Sequence, residues 1–271
     1  MQNTAPFDAI AHNYDQQFTE TAVGKLQRML VRTRTEQFIT KERGSALELN
    51  CGTGADALWL SSLGFQVLAT DISEGMLAVT QAKIAQYQLQ NSIQTTRVDA
   101  AKLAECLKSA GHIHTKFQLV FSNFGGINCL SPLELQQLAT DLTQMLPPKA
   151  TLALVIMGRF CWWETAYFFL KGQFSKAFRR FSKQSISAPL DELTTVETWY
   201  YSPREISNVF PQFRIVHTEA IGFWLPPSYL DPLMQRFPAV LPLLDQLEQL
   251  CRGRLFAQAA DHYLLVMEKE A

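Results

Sequence analysis

The chain lacks two features that would place it across a membrane or on nucleic acid. No apolar run approaches the length of about eighteen residues that a membrane-spanning helix needs. Its 24 Lys and Arg residues balance 25 Asp and Glu residues, giving a formal charge of −1 and no overall attraction to nucleic acid or an anionic membrane. Residues 1–8 also lack the basic-then-apolar pattern of a signal peptide. We therefore expect a cytoplasmic protein with no nucleic-acid partner and no stable membrane insertion.

The sequence also lacks the cysteine and histidine spacings of metal sites. It has five widely separated cysteines, without a CxxC pair or a histidine at ligand spacing: Cys51, Cys106, Cys129, Cys161 and Cys251. Neither a zinc site nor a disulfide framework is indicated. We expect no metal, and ordinary buried or half-buried thiols rather than a catalytic one.

Apolar patterns of strand and helix alternate from residue 45 onward. Strands are predicted near 45–50, 66–71, 93–98, 117–123 and 151–157, helices near 55–63, 74–87, 101–109 and 132–145, and two later strands at 213–223 and 262–268. This alternation is typical of a doubly wound, Rossmann-like α/β fold with a mostly parallel seven-stranded sheet. With 271 residues, the chain can form one such domain with helical cap insertions.

The pattern divides the chain into four segments. They are an N-terminal helical lid at 1–42, a Rossmann-like core at 43–157, an aromatic and basic helical cap insertion at 158–198, and a part at 199–271 that completes the sheet and contains a helical insertion near 226–255. In the lid, apolar residues recur at helical spacing from Phe7 to Phe18 and from Leu26 to Phe38. In the cap, the same spacing predicts one or two amphipathic helices with a break at Gly172.

The segment from Ala46 to Asp56 has the pattern of a strand, a glycine turn and a helix. A ligand that crosses the carboxyl end of the strand has to contact backbone, and a side chain at Gly52 or Gly54 would hold it away. Asp71 ends the next predicted strand, nineteen residues after Gly52. An ionised carboxylate there can accept both hydroxyls of a ribose. The pattern therefore predicts a nucleoside site.

Four motifs stand in order at the predicted strand ends. They are Glu48-Leu-Asn-Cys-Gly52-Thr-Gly54, Asp71, Val98-Asp99-Ala100 and Phe121-Ser-Asn123-Phe124-Gly125. Together they resemble the signature of class I S-adenosylmethionine-dependent methyltransferases. The earlier run Phe7-Asp8-x3-His12-x-Tyr14-Asp15 is similar to the lead-in of small-molecule and quinone/biotin-pathway members. The likeness covers about residues 7–157, and more weakly 198–222, and implies methyl transfer with S-adenosyl-L-methionine as cofactor.

The resemblance assigns one group of residues to the methionine end of the cofactor. The backbone of Asn50, Cys51, Gly52 and Gly54 would face the methionine part. Glu48 would orient the amino group, although a carboxylate in a strand can also pair with a lysine. Asn123, at the end of the fourth strand, would lie beside the methionine moiety and the reacting methyl group.

A second group is assigned to the nucleoside end. Asp71 would accept the ribose hydroxyls and Ile72 would flank the adenine. Asp99 would accept from the adenine amino group while Ala100 donates a backbone N–H to the ring, although Asp99 can instead cap the following helix. Tyr14 would cap the cofactor from the lid, or would pack in the core as most aromatics on an inner helix face do.

One position departs from the family pattern, since Asn50 stands where the first glycine of the triplet is expected. Asn tolerates left-handed backbone angles better than most residues, so we expect the turn to keep its shape.

The main rival function is that of an NAD(P)-dependent oxidoreductase, because Gly52-Thr-Gly54-Ala-Asp-Ala57 also fits G-x-G-x-x-A. Against it, Asp56 in the first helical turn would repel a pyrophosphate. A degenerate cofactor-binding module that acts through protein contacts is the other alternative.

The acceptor is predicted to be a small, largely apolar molecule, such as a quinone precursor, a polyketide or a lipid-like compound. Ser122-Asn123-Phe124-Gly125 replaces the Asn/Asp-Pro-Pro-Tyr/Phe motif of enzymes that methylate exocyclic base amines. The aromatic cap suggests an apolar pocket and its basic residues suggest an acidic group on the acceptor. Peripheral contact of the cap with a membrane surface stays open, as does the oligomeric state. Five residues are candidate bases, with none favoured: His12, Glu164, Tyr200, Tyr201 and His217.

Overall fold

A seven-stranded sheet organises the computed structural model, which describes residues 5–39, 43–191, 193–237 and 239–270. Its spatial order is β3-β2-β1-β4-β5-β9-β8. The strands are β1 Ser45–Leu49, β2 Gln66–Asp71, β3 Ile93–Arg97, β4 Phe117–Ser122, β5 Thr151–Met157, β8 Phe213–Ile221 and β9 His262–Lys269, and β6 Ile186–Pro189 with β7 Thr195–Thr198 forms a separate hairpin.

The sheet is mostly parallel, as expected from the sequence. Strands β1 to β5 run in parallel, and β9 lies antiparallel between β5 and β8. The register pairs Met157 with His262 and His262 with Ile221. The carboxyl end of β8 therefore lies at the same edge as the carboxyl ends of the parallel strands, where α/β folds bind their ligands.

Helices cover both faces of the sheet. They are α1 Ala22–Glu36, α2 Ala55–Ser62, α3 Glu74–Gln86, α4 Leu103–Ser109, α5 Pro132–Met145, α6 Trp162–Leu170, α7 Phe174–Ala177, α8 Pro203–Val209, α9 Asp231–Met234, α10 Val240–Leu250 and α11 Arg254–Ala257. Alternate residues of β5 enter two different cores, with Leu152 and Leu154 in one and Ala153 and Val155 in the other. This burial on both faces explains why β5 is apolar from Leu152 to Met157. No helix in the described ranges is long and apolar enough to cross a membrane.

The start of the chain differs from the regular helix predicted from Phe7 to Phe18. A 3₁₀ turn at Pro6–Asp8 and a π turn at Asp15–Thr19 replace it, and α1 follows. The acids of this segment bind other elements instead: Asp8 accepts hydrogen bonds from Oγ of Ser73 and the backbone N–H of Gly75. These tertiary bonds, which residue spacing does not reveal, hold the segment against α3. The first four residues and the predicted lid boundary at 40–42 lie outside the described ranges.

The first insertion contains more than the predicted helices. In the first, α6 and α7 flank Gly172, whose φ of +69° ends the first helix. The β6–β7 hairpin follows and was not predicted, because its strands are only four residues long. Leu190, just after β6, packs against the cluster formed by the N-terminal segment. The second insertion holds α9, α10 and α11, which follow the end of β8.

Candidate cofactor site

The turn after β1 has the conformation that its sequence allows. Asn50, Gly52 and Gly54 have positive φ angles of 55°, 53° and 77°. Asn is among the few residues with a side chain that occupy this region readily. The turn therefore keeps its shape with Asn50 at the first position of the glycine triplet, as expected.

Gly52 and Gly54 serve different purposes. A Cβ built on Gly52 would meet no described protein atom within 4 Å, so a ligand can lie against the backbone there. A Cβ on Gly54 would lie 2.6 Å from Cγ2 of Thr80 in α3. The expectation that glycine makes room for a ligand fits Gly52, whereas Gly54 makes room for α3.

Asp71, the last residue of β2, holds two backbone segments. Its Oδ2 accepts a hydrogen bond from the N–H of Gly52 at 2.9 Å, and its Oδ1 accepts one from the N–H of Ser73 at 2.9 Å. Each carboxylate oxygen can accept a second bond, which suits the two hydroxyls of a ribose. Burial raises the pKa of Asp71, and the backbone hydrogen bonds oppose that rise.

Glu48 places a buried carboxyl near the end of β1. The residue is 2% exposed, and its Oε2 has no hydrogen-bond partner among the described residues. Burial, followed by the nearby charge of Asp56, raises the pKa of Glu48 well above its ordinary value. No lysine pairs with it within the described ranges. A buried acceptor of this kind is costly to leave unpaired, and a ligand ammonium would match it.

Two arginines of α1 bind Asp56 in the first turn of α2. Arg28 contacts Oδ2, and Nη2 of Arg32 lies 2.9 Å from Oδ1. Burial alone would raise the pKa of Asp56, but the two arginines outweigh it and lower that pKa. The charge of Asp56 is thus neutralised within the protein. The expectation that Asp56 would repel a pyrophosphate was therefore wrong, and this residue gives no reason to exclude a dinucleotide.

The sheet gives a better argument against the dinucleotide alternative. Dinucleotide-binding Rossmann folds have the strand order 3-2-1-4-5-6. Here an antiparallel β9 lies between β5 and β8 at the end of the sheet. The sheet topology therefore distinguishes this chain from the dinucleotide fold, whereas the glycine motif alone does not.

Asn123 is engaged by its own neighbours. Its Nδ2 donates to Oδ2 of Asp56 at 2.8 Å, and its Oδ1 accepts from the backbone N–H of Phe124 at 2.9 Å. The guanidinium of Arg28 also lies over the ring of Phe124, 5.1 Å from its centroid. Asn123, which directly follows β4, therefore holds the side chain of Asp56 and the backbone of Phe124 in position.

The N-terminal segment is tied to the glycine turn. Oδ1 of Asp15 accepts a hydrogen bond from Oγ1 of Thr53 at 2.6 Å, and its Oδ2 accepts from Nζ of Lys83 at 2.5 Å. Tyr14 packs against Phe18, with ring centroids 4.9 Å apart. Burial raises the pKa of Tyr14. Tyr14 thus belongs to a small apolar cluster in a segment that is anchored beside the proposed cofactor turn.

The residues assigned to the adenine follow β2 and β3, which are neighbours in the sheet. Ile72 is 38% exposed directly after Asp71, whereas Ala100 is buried. Oδ1 of Asp99 accepts a hydrogen bond from the N–H of Ala101 at 3.0 Å, so Asp99 has the helix-capping role given as its alternative. These positions lie at the same edge as Asp71.

Cys51 contributes backbone rather than thiol chemistry. Its N–H donates to the carbonyl oxygen of Thr70 at 2.8 Å, which joins the turn to β2. Burial raises the pKa of the Cys51 thiol well above its usual range. Burial likewise raises the pKa values of Cys129 and Cys161, each to about 12. Burial therefore disfavours the thiolate form of all three.

The candidate bases are mostly occupied elsewhere. Glu164 binds Arg179 at 2.8 Å and Arg180 at 3.0 Å. The hydroxyl of Tyr201 donates to the carbonyl of Leu130 at 2.6 Å inside the core. The others are distributed as follows: Tyr200 is buried under the Arg180 guanidinium, His217 stacks on Phe38 and binds Glu219, and His12 is exposed.

His262 lies at the ligand edge of the sheet and was not among the predicted site residues. It begins β9, and its ring lies edge-on to Phe124 with centroids 5.3 Å apart. Its Nδ1 lies 3.1 Å from Oδ2 of Asp261, whose Oδ1 is 2.7 Å from Nη2 of Arg180. The sequence signal was an Asp-His pair at the start of a strand, but the antiparallel direction that brings it to the ligand edge was not evident.

Comparisons with known proteins agree with this architecture. A family model described as a methyltransferase domain matches residues 46–149. A putative methyltransferase of Geobacillus sp. (strain WCH70) is 32% identical over 83 residues, covering 31% of this chain and 33% of that protein. The demethylmenaquinone methyltransferase of Clavibacter sepedonicus is 36% identical over 85 residues, covering 31% and 34%. The chain thus matches about a third of the length of these relatives.

A solved structure extends the likeness to the whole fold. The CcbJ methyltransferase of Streptomyces caelestis is 16% identical, with a TM-score of 0.62 and 100% of both chains covered. Residues 46–149 therefore resemble the class I methyltransferase domain in sequence, and the whole chain resembles it in fold. S-adenosylmethionine is the cofactor of this class.

The residues of the matched segment fit that cofactor. The open side of Gly52 admits it to the turn, and Asp71 retains acceptor capacity for a ribose. The unpaired Oε2 of Glu48 matches the positive charge of an amino acid ammonium. These features belong to two segments of the chain, the β1 turn and the end of β2, and meet at one edge of the sheet.

Proposed function

We propose that this chain is an S-adenosylmethionine-dependent methyltransferase that methylates a small, largely apolar molecule. The observation that carries the proposal is the unpaired, buried carboxyl of Glu48 close to a turn whose other side is held by Asp71. A dinucleotide offers a ribose to Asp71 but no ammonium to Glu48. The pair of acids therefore favours the sulfonium cofactor.

The chain's residues would chiefly bind and orient the reactants. Asp71 would hold the ribose hydroxyls and Glu48 the amino group, with Ile72 against the adenine. When bound, the cofactor supplies an already activated methyl group. Correct alignment of an acceptor can then contribute about 7–11 kcal/mol, and exclusion of water from the site supports it.

Three partly buried aromatic side chains support an apolar acceptor. Phe124, Trp163 and Trp224 pack against the same hydrophobic core. The indole N–H of Trp163 donates to the carbonyl of Trp224 at 2.9 Å, and that of Trp224 points to Sγ of Cys251 at 3.0 Å. Because these polar atoms are bound internally, the rings offer apolar surface. A quinone precursor, a polyketide or a lipid-like molecule would suit such a wall.

The arginines of the cap give no support to the expected acidic group on the acceptor, because they bind acids of the protein. Arg179 and Arg180 bind Glu164, and Arg180 also binds Asp261. The lysines of the cap are exposed rather than directed inward. The proposal is therefore limited to apolar character, for which the demethylmenaquinone methyltransferase relative provides one example of acceptor class.

Calorimetry tests the cofactor. We expect the wild type to bind S-adenosylmethionine and S-adenosylhomocysteine, and not NAD. Asp71→Ala should weaken binding by about 1.5–3 kcal/mol, the usual contribution of hydrogen bonds to a charged group. Glu105→Ala, which removes an exposed acid of α4, is the control and should bind normally. Failure of the folded wild type to bind either sulfur compound would contradict the proposal.

Turnover separates an enzyme from a degenerate binding module. Radiolabelled S-adenosylmethionine would be incubated with a panel of phenols, quinols, polyketide fragments and fatty acyl compounds. The proposal expects label in at least one apolar acceptor, and loss of that transfer in Asp71→Ala. Cofactor binding without label in any class of the panel would favour the module.

A further inference from the structure

Exposed hydrophobic side chains are concentrated in two parts of the chain. Among the described residues, twelve of the eighteen exposed large hydrophobic side chains lie in 158–183 or 226–255. In the first part they are Phe169, Leu170, Phe174, Phe178 and Phe181, which are between 48% and 87% exposed. Soluble surfaces scatter such residues, so a concentration of this kind marks an interaction surface.

The exposed charges in the first part are positive. Its one acid, Glu164, is 1% exposed and bound to Arg179 and Arg180. The exposed charges that remain there are Lys171, Lys176 and Lys183. Phenylalanine and leucine beside lysine, without exposed acids, is the composition of segments that lie on anionic lipid.

The second part shows the same combination. Its exposed side chains include Leu233, Phe237 and Leu243, beside the exposed Arg236. Two of its acids, Asp231 and Glu248, are buried, at 2% and 0% exposure, and the third, Asp245, is half-buried. Both parts therefore combine apolar side chains with exposed positive charge, although the whole chain has a formal charge of −1.

The two parts are joined at the ligand edge of the sheet. The first follows the end of β5 and the second follows the end of β8, and these ends are aligned through His262. The hydroxyl of Tyr229 in the second part donates to Oε2 of Glu164 in the first at 3.3 Å. The indole of Trp163 also binds the carbonyl of Trp224, just before the second part.

We propose that these two parts form a docking surface for an anionic lipid bilayer. The apolar side chains enter the interface and the lysines and Arg236 remain at the headgroups. Docking in this way would place the ligand edge of the sheet towards the bilayer, where an apolar acceptor dissolves. A symmetric contact between two copies is disfavoured because it would bring positive surfaces together. The proposal does not depend on methyl transfer, so it can fail or succeed separately from the proposed function.

Vesicle flotation of the full chain tests docking. Vesicles of phosphatidylcholine alone would be compared with vesicles containing about 30% phosphatidylglycerol, near 0.1 M salt, where surface charge is only partly screened. We expect at least about tenfold more bound protein on the anionic vesicles, and release as the salt concentration rises. Failure of the wild type to bind anionic vesicles would overturn the proposal.

Surface variants locate the contact. Phe174→Ser/Phe178→Ser should lower binding at least about tenfold, as should Lys171→Glu/Lys176→Glu. Leu133→Ser and Tyr87→Ser replace side chains that are 77% and 57% exposed elsewhere, and should bind like the wild type. Circular dichroism would verify that each variant is folded. Equal losses in the control variants would contradict the assignment, as would sedimentation showing that the two phenylalanines instead join two copies.

Discussion

The side chain of Asn50 fills the space that a side chain at Gly126 would need. A Cβ built on Gly126 would lie 2.5 Å from Cβ of Asn50 and 2.7 Å from its Oδ1. Gly126 stands in the loop after β4, so the irregular residue of the cofactor turn is accommodated by a glycine 76 positions later. The two positions are therefore coupled.

Gly126→Ala should destabilise the protein by about 1–3 kcal/mol, the usual cost of overpacking. Adding Asn50→Gly should restore at least about half of that loss, because it removes the side chain that the new methyl group meets. Urea unfolding of the wild type, both single variants and the double variant measures the coupling. Additive effects of the two substitutions would show that the positions do not share the space.

Glu48→Gln should have opposite effects on stability and binding. The pKa of Glu48 is raised above its ordinary value of 4.5, so the folded protein retains this proton to a higher pH than the unfolded chain does. Stability of the wild type therefore falls as pH rises above that value, until the folded pKa is passed. Glu48→Gln should lack this loss of stability. Its free energy of unfolding relative to the wild type should therefore increase from about pH 4 upward.

The same variant should bind S-adenosylhomocysteine about 1.5–3 kcal/mol more weakly, because the ligand ammonium favours the ionised form of Glu48 and an amide cannot ionise. Thermal unfolding across pH and calorimetry provide the two measurements. Parallel stability curves, or unchanged affinity, would show that Glu48 does not have this role.

Arg28→Met should destabilise the folded state by about 2–4 kcal/mol at pH 7, because it removes one of two cations from a buried carboxylate. The arginines hold the pKa of Asp56 below its ordinary value of 3.8, so their contribution is present above that pH and is lost as pH falls through the folded pKa. Adding Asp56→Asn should recover part of the loss. Arg97→Met, from a pair with Glu74 that is largely exposed, should change stability by only about 0–1 kcal/mol. A similar loss in both arginine variants would contradict the account.

Asp15→Asn should loosen the N-terminal segment from the glycine turn. Its carboxylate accepts from Thr53 and pairs with the ammonium of Lys83, and an amide lacks the charge of that ion pair. Hydrogen–deuterium exchange should rise in residues 5–20 while the strands stay protected. His12→Gln, at an exposed position of the same segment, serves as the control. Unchanged exchange in Asp15→Asn would show that other contacts hold the lid.

The sheet and the glycine turn were predictable because their signals are local. The apolar run of β5 identifies a strand buried on both faces, and Asn50 is one of the few residues suited to its φ angle. The pairing of Asp56 with Arg28 and Arg32 was not predictable, since it joins residues 28 and 24 positions apart on two different helices. Spacing along the chain says nothing about which helix crosses another. The expectation that Asp56 would repel a pyrophosphate was wrong for this reason.

The cap shows the same limit. Helical spacing predicted α6, α7 and the break at Gly172, but it treated Arg179 and Arg180 as free charges. In the structure Arg179 binds Glu164, and Arg180 binds Asp261. The second pair forms because Asp261 directly precedes β9, which begins at the ligand edge of the sheet. The position of His262 beside Phe124 depends on the same antiparallel strand.

A crystal structure with S-adenosylhomocysteine tests the central claim most directly. The account predicts ribose hydroxyls within hydrogen-bonding distance of Oδ1 and Oδ2 of Asp71, and the ligand ammonium against Oε2 of Glu48. The backbone at Gly52 should contact the ligand without moving away. A ligand bound elsewhere, or bound at the turn with Glu48 still unpaired, would contradict the account.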